Sequence, residues 1–122
     1  MSYSDYMNQL IASGYISTVA ILDPSGNIYW TNNQNWQFNG ADVLNQWKGR
    51  ATAVHVGGTK FSAILNNPPE FFVGKNIPQQ AGVLVIARAP NGYYFLTWTP
   101  ASAPYDTMNI YTEVTRMSAL FK

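Results

Sequence analysis

His55 is the single histidine in the chain and there is no cysteine, so a two-histidine metal site, a thiolate ligand, a cysteine nucleophile and a disulfide framework are all excluded. The acids are Asp5, Asp23, Asp42, Glu70, Asp106 and Glu113, and no two share a catalytic or metal-ligand spacing. Four of them, Asp5, Asp23, Asp42 and Asp106, fall at expected helix starts or a turn, where capping explains an aspartate. His55 sits between Val54 and Val56 in a strand-like run and reads as a structural or surface residue rather than a proton-transfer group. Gly57-Gly58 lacks the downstream Gly-Lys-Ser/Thr of a phosphate loop. These residues predict no enzyme, no metal site and no cofactor. Binding chemistry remains. Lys48, Arg50, Lys60, Lys75 and Arg88 occupy the middle of the chain, where the only acid is Glu70. They are the candidates for one weakly basic face. Aromatic residues reach 15%, with four Trp and eight Tyr, too many for all to be deep core, and Tyr and Trp near a surface are favoured contact residues.

The elements that must position these groups follow from periodicity. Ser2 and Asp5 have capping-box spacing, and Tyr3, Tyr6, Met7, Leu10 and Ile11 recur on one helical stripe that Gly14 ends. Ser17–Leu22 and Asn27–Thr31 are expected as strands around the turn Asp23-Pro24-Ser25-Gly26. A polar stretch leads to a short helix over about Ala41–Lys48, with Val43, Leu44 and Trp47 on one face. Thr52–Val56 and Thr59–Leu65 flank Gly57-Gly58 as a hairpin, which Asn66-Asn67-Pro68-Pro69 stops. Glu70–Val73 is a short strand followed by a loop through Pro78. Gly82–Arg88 and Tyr93–Trp98 flank the turn at Asn91-Gly92. Asp106 is the expected N-cap of a last helix carrying Ile110, Val114, Met117 and Phe121. The order α-β-β-α-β-β-β-β-β-α has no βαβ crossover, so the sheet is expected to be mainly antiparallel with helices on its faces, an α+β fold.

At 122 residues the chain is expected to be one domain. Only 11% of residues are charged and the formal net charge is +1, which argues against nucleic acid as a partner. The first ten residues have neither a basic nor an apolar region of signal-peptide type. No apolar run approaches the roughly 18 residues of a membrane span. A cytoplasmic, monomeric protein is the expectation.

Several segments together resemble the profilin family. Ser2-Tyr3-Ser4-Asp5-Tyr6, Asn8-Gln9-Leu10-Ile11 and Gly14 are similar to its N-terminal S-W-x-x-Y-x-D-N-L-x-x-x-G. Val19-Ala20-Ile21, Gly26 and Trp30 follow its A-A-I…G…V-W-A pattern, and Gly57-Gly58-Thr59-Lys60-Phe61-Ser62 is similar to G-G-Q-K-F/C-S. The resemblance implies a central antiparallel sheet, with the N- and C-terminal helices packed together on one face and a short helix on the other. It implies monomeric actin as partner and a cytoskeletal location, with Lys60, Ser62, Lys75 and Asn109 as actin-binding residues. Proline-rich segments and anionic phosphoinositides are its further implied ligands. For proline-rich ligands the matching positions are Tyr3, Tyr6 and Trp30, with Tyr3 in place of the customary Trp. Met117 and Phe121 stand where the family places a His or Tyr and a final Tyr. The altered last helix and short loops mark a divergent member, with an archaeal source as the expectation. Two other classes fit the element order: a roadblock- or longin-like regulatory scaffold for small GTPases, and a PAS-like small-molecule sensor.

Overall fold

The computed structural model describes residues 3–49 and 52–121, apart from the side chains of Tyr3, Ser4 and Tyr6. Its elements are α1 (Tyr3–Ser13), β1 (Thr18–Leu22), β2 (Ile28–Thr31), α2 (Gly40–Lys48), β3 (Ala53–Val56), β4 (Thr59–Asn67), β5 (Phe71–Asn76), β6 (Gly82–Arg88), β7 (Tyr94–Thr99) and α3 (Thr107–Ser118). Their order is the expected one. The seven strands form one sheet in the order β2-β1-β7-β6-β5-β4-β3, with every pairing antiparallel.

Alternation along the strands sends side chains to two cores, one on each face. Val19, Ile21, Val73, Val85 and Phe95 meet Met7 and Leu10 of α1 and Ile110 and Val114 of α3. Ala20, Leu22, Phe61, Phe72, Leu84 and Leu96 meet Val43, Leu44 and Trp47 of α2. The terminal helices therefore share one face and the short helix holds the other. Trp47 is fully buried, and its indole N–H donates to the Phe71 carbonyl at 3.2 Å.

Local chemistry sets the ends of the elements. The Asp106 carboxylate accepts from the Asn109 N–H at 2.8 Å and caps α3. For α2 the cap is Asn39, which accepts from the Asp42 N–H. Asp42 instead accepts from Gln46 Nε2 one turn on. The Ser2 cap expected for α1 lies outside the described residues. Gln46 also reaches β3: its Oε1 accepts from the His55 N–H at 2.8 Å and its Nε2 donates to the His55 carbonyl at 3.2 Å.

Three boundaries differ from the sequence reading by more than one residue. β5 runs to Asn76 rather than Val73, because pairing with β4 and β6 carries Gly74-Lys75-Asn76 into the sheet against their loop-like composition. β4 continues to Asn67 past an irregularity between Ala63 and Leu65 that leaves Ile64 exposed. Phe121 lies beyond the end of α3, with its ring edge-on to Phe95 at 4.7 Å.

The turn after β1 packs against the start of α2 with no room for a side chain. A Cβ on Gly40 would collide with the Gly26 carbonyl, and one on Gly26 with the Ala41 backbone. Gly40→Ala is expected to destabilise the fold by about 1–3 kcal/mol, read as a lower urea midpoint at unchanged slope. In the same turn the Asn27 N–H donates to the Asp23 carboxylate, the largest of the causes that hold this acid below its ordinary value of 3.8. A lowered folded value means the contribution is present above the unfolded pKa and lost as pH falls through the folded one. Asp23→Asn should therefore remove a small acid-dependent loss of stability below about pH 4, which urea midpoints across that range would reveal.

Candidate functional site

Strand alternation and register assemble the basic residues. Phe61 points into the core on the α2 side, so Lys60 and Ser62, its neighbours on β4, stand on the opposite face, and both are exposed. Ser62 is directly across from Lys75 of β5, and Lys60 from His55 of β3. On this side of the sheet α3 packs mainly over β6, which leaves these side chains uncovered. Among the described residues the ion pairs are Arg88 with Glu70 at 3.8 Å and Arg116 with Glu113 at 2.6 Å. Neither Lys60 nor Lys75 takes part. The result is a small positive face whose lysines form no ion pair among the described residues.

Its backbone is fixed by a buried amide. Asn76 is 5% exposed; its Nδ2 donates to the Lys60 carbonyl at 2.8 Å, and its Oδ1 accepts from the N–H groups of Gln79 and Ala81 at 3.0 and 3.3 Å. One side chain thus ties β4 to the turn that follows β5. Beyond Lys75 a cavity of about 490 Å³ opens between that turn, the loop at Pro100 and the first turn of α3, where Asp106, Thr107 and Ile110 line it. Asn109 is exposed on that same turn of α3 but is not part of the lining. The structure brings Lys60, Ser62 and Lys75 together, and Asn109 is exposed on the turn of α3 whose Asp106, Thr107 and Ile110 share the cavity lining with Lys75.

Lys48 and Arg88 do not join this face. Lys48 projects from α2, with Nζ 5.0 Å from the centre of the Tyr94 ring, on the opposite side of the sheet. Arg88 ends β6, where its N–H bonds to the Glu70 carbonyl, away from the Lys75 end of β5. Arg50 lies outside the described residues. Of the four described candidates, Lys60 and Lys75 share one face and Lys48 and Arg88 lie away from it.

The aromatic group expected between the terminal helices is also altered. Trp30 is half-buried against the helix-side core. Met117 and Phe121 are each 5% exposed and belong to that core, because α3 turns Met117 toward the sheet and the chain folds Phe121 back onto Phe95. They offer a ligand very little surface. The Tyr3 and Tyr6 side chains lie outside the described part.

Sequence reasoning passed over Ile77. It is 70% exposed, in the turn beside Lys75, and an isoleucine isolated between Asn76 and Pro78 in a turn was the available signal. Among the described residues no group of three or more His, Asp or Glu is placed to hold a metal ion. No helix among them is long and apolar enough to cross a membrane.

No family model matches the chain. It is 33% identical over 105 residues to Heimdall profilin from Heimdallarchaeota archaeon (strain LC_2), covering 84% of each protein. Its structure is similar to LokiProfilin2 in that protein's complex with rabbit actin, with a TM-score of 0.79 at 19% identity over 97% of this chain and 95% of the other. Acanthamoeba castellanii profilin IB matches with a TM-score of 0.75 at 13% identity, over 98% and 95%. The solved structures establish the fold, and identity maintained across 84% of the sequence shows that the chain belongs to the profilin family.

Proposed function

We propose that this chain binds actin monomers and regulates their polymerisation, using the face built by β4, β5 and the start of α3. On this reading it holds monomers, influences their nucleotide exchange and delivers them to filament ends as a cytoskeleton-associated protein. The observation that carries the proposal is the convergence of Lys60, Ser62 and Lys75 on one exposed face without an internal acid partner. Unpaired lysines on a surface keep their full field for a partner, and actin is acidic. The solved complexes of LokiProfilin1 and LokiProfilin2 with rabbit actin lend support, since each overlaps 97% of this chain.

Two further ligands belong to the same proposal. Lys60 and Lys75 are the pair available to anionic phosphoinositides, so lipid would compete with actin for them, in a manner weakened by salt. Proline-rich segments would rest on Trp30 and on Tyr3 and Tyr6 of α1, with little help from Met117 or Phe121.

Lys60→Glu should weaken binding to purified rabbit actin by about 1–3 kcal/mol while leaving the unfolding transition in place, because the side chain is exposed. Calorimetric titration decides it, and unchanged affinity would mean the contact face is misplaced. Polyproline should bind about tenfold more weakly than to a groove with a full polar aromatic set, since one or two hydrogen bonds of roughly 0.5–1.5 kcal/mol each are missing. Tryptophan fluorescence would follow that titration; tight binding that survives Tyr6→Ala would put the ligand elsewhere.

A further inference from the structure

The turn after β5 displays an apolar side chain in a way that folding alone does not require. Ile77 is 70% exposed, the highest value among the large hydrophobic residues described, yet the turn that carries it is tightly held. Asn76 binds two N–H groups of the turn and the Lys60 carbonyl, and the Ile77 carbonyl accepts from the Gln80 N–H at 3.2 Å. Gln80 has φ of +51°, a conformation uncommon outside glycine and often found where a binding surface is pre-set. The Asn76 bond to the Lys60 carbonyl holds the residue just before Ile77 against the backbone of β4. Ile77 also forms one wall of the 490 Å³ cavity, whose lining combines Val83, Tyr105 and Ile110 with the charged Lys75 and Asp106. Tyr105 is itself immobilised, stacked on Tyr15 at 4.0 Å with its hydroxyl donating to the Ser13 carbonyl at 2.8 Å.

We infer that Ile77 and this cavity are the apolar anchor of the actin contact, receiving an apolar side chain of the bound monomer that lies next to its acidic residues. The inference rests on the actin reading above and deepens it: the lysines match charge, while the rigid isoleucine and socket supply water exclusion. A pre-ordered apolar residue loses little entropy on binding and contributes more than exposed charges at the rim. The partner's chemistry follows from the exposed Lys60 and Lys75 of the same sheet face, which form no ion pair and favour acids on the partner; Asp106, across the cavity from Ile77, confines that preference to the Lys75 side.

The test compares Ile77→Ser with Lys60→Glu in calorimetric titrations of purified rabbit actin at low and high salt. Because Ile77 is exposed, the serine variant should unfold at the wild-type urea midpoint. It should bind about tenfold or more weakly, by a factor that salt leaves unchanged, whereas the Lys60→Glu loss should shrink as salt rises. Ile77→Met should recover most of the affinity. Wild-type binding by Ile77→Ser alongside weakened binding by Lys60→Glu overturns the anchor and leaves the actin face standing. Wild-type binding by both variants overturns the face and the anchor with it.

Discussion

The antiparallel pairing of β1 with β7 joins opposite ends of the chain, and the arrangement of everything else depends on it. The other ladders connect strands that follow one another in sequence and could close as local hairpins. This one aligns Thr18 with Trp98 and Leu22 with Tyr94. It is extended past the strands by the Ser17 N–H to the Trp98 carbonyl and by the Thr99 hydroxyl to the Tyr15 carbonyl, 84 residues apart in sequence. Once it forms, α1 and α3 must lie on the same side of one sheet. Their apolar stripes then bury each other's flanks together with Val19, Ile21 and Phe95. The loop-closure entropy of such a distant pairing is substantial, and the buried stripes on both faces of β1 and β7 are what offset it.

This dependence also places the candidate site. With α3 lying over β6 and β7, the Lys60–Ser62 end of β4 and the Lys75 end of β5 extend beyond helix cover on that face, while Val73 remains beneath it. Lys60, Ser62 and Lys75 are exposed because the helices are occupied elsewhere, and α2 shields only the reverse side. The chain carries few charges, so amide side chains do much of the backbone's polar bookkeeping. Asn32 accepts from the Val19 N–H and donates to the Ser17 carbonyl, and Asn76 does the equivalent at the end of β5. Neutral amides can satisfy buried backbone groups without the desolvation cost of an ion.

Much of this was legible in the sequence. Strict alternation, Gly-Gly and Asn-Gly turns and the Asp106 cap are local signals, and every element appeared in its expected order. The misplaced ends of β4 and β5 share a cause: Gly74, Lys75, Asn66 and Asn67 have poor strand propensity, and only pairing with the adjacent strands recruits them. That error mattered for the site, since it left Lys75 in a loop when it is in fact a cross-strand partner of Ser62. The grouping of Lys60 with Ser62 was readable from period two. The separation of Lys48 and Arg88 from them was not, because which face and which end a residue occupies is decided by the whole sheet. Met117 and Phe121 were given a ligand role by the resemblance alone, while their helical spacing with Ile110 and Val114 describes the core stripe that they join.

The Gln46 amide bonded to both polar groups of His55 stands where the backbone of a neighbouring strand would stand. The open edge of β3 is thereby occupied by its own molecule's α2, and a strand from a second copy would have to evict a side chain before it could add to the sheet. A chain with so little repulsive charge has few other means of staying apart from its copies at high concentration. A single internal amide, costing no net charge, can serve as a gatekeeper against edge-to-edge aggregation, and it leaves the lysine face beside it free to recognise something else.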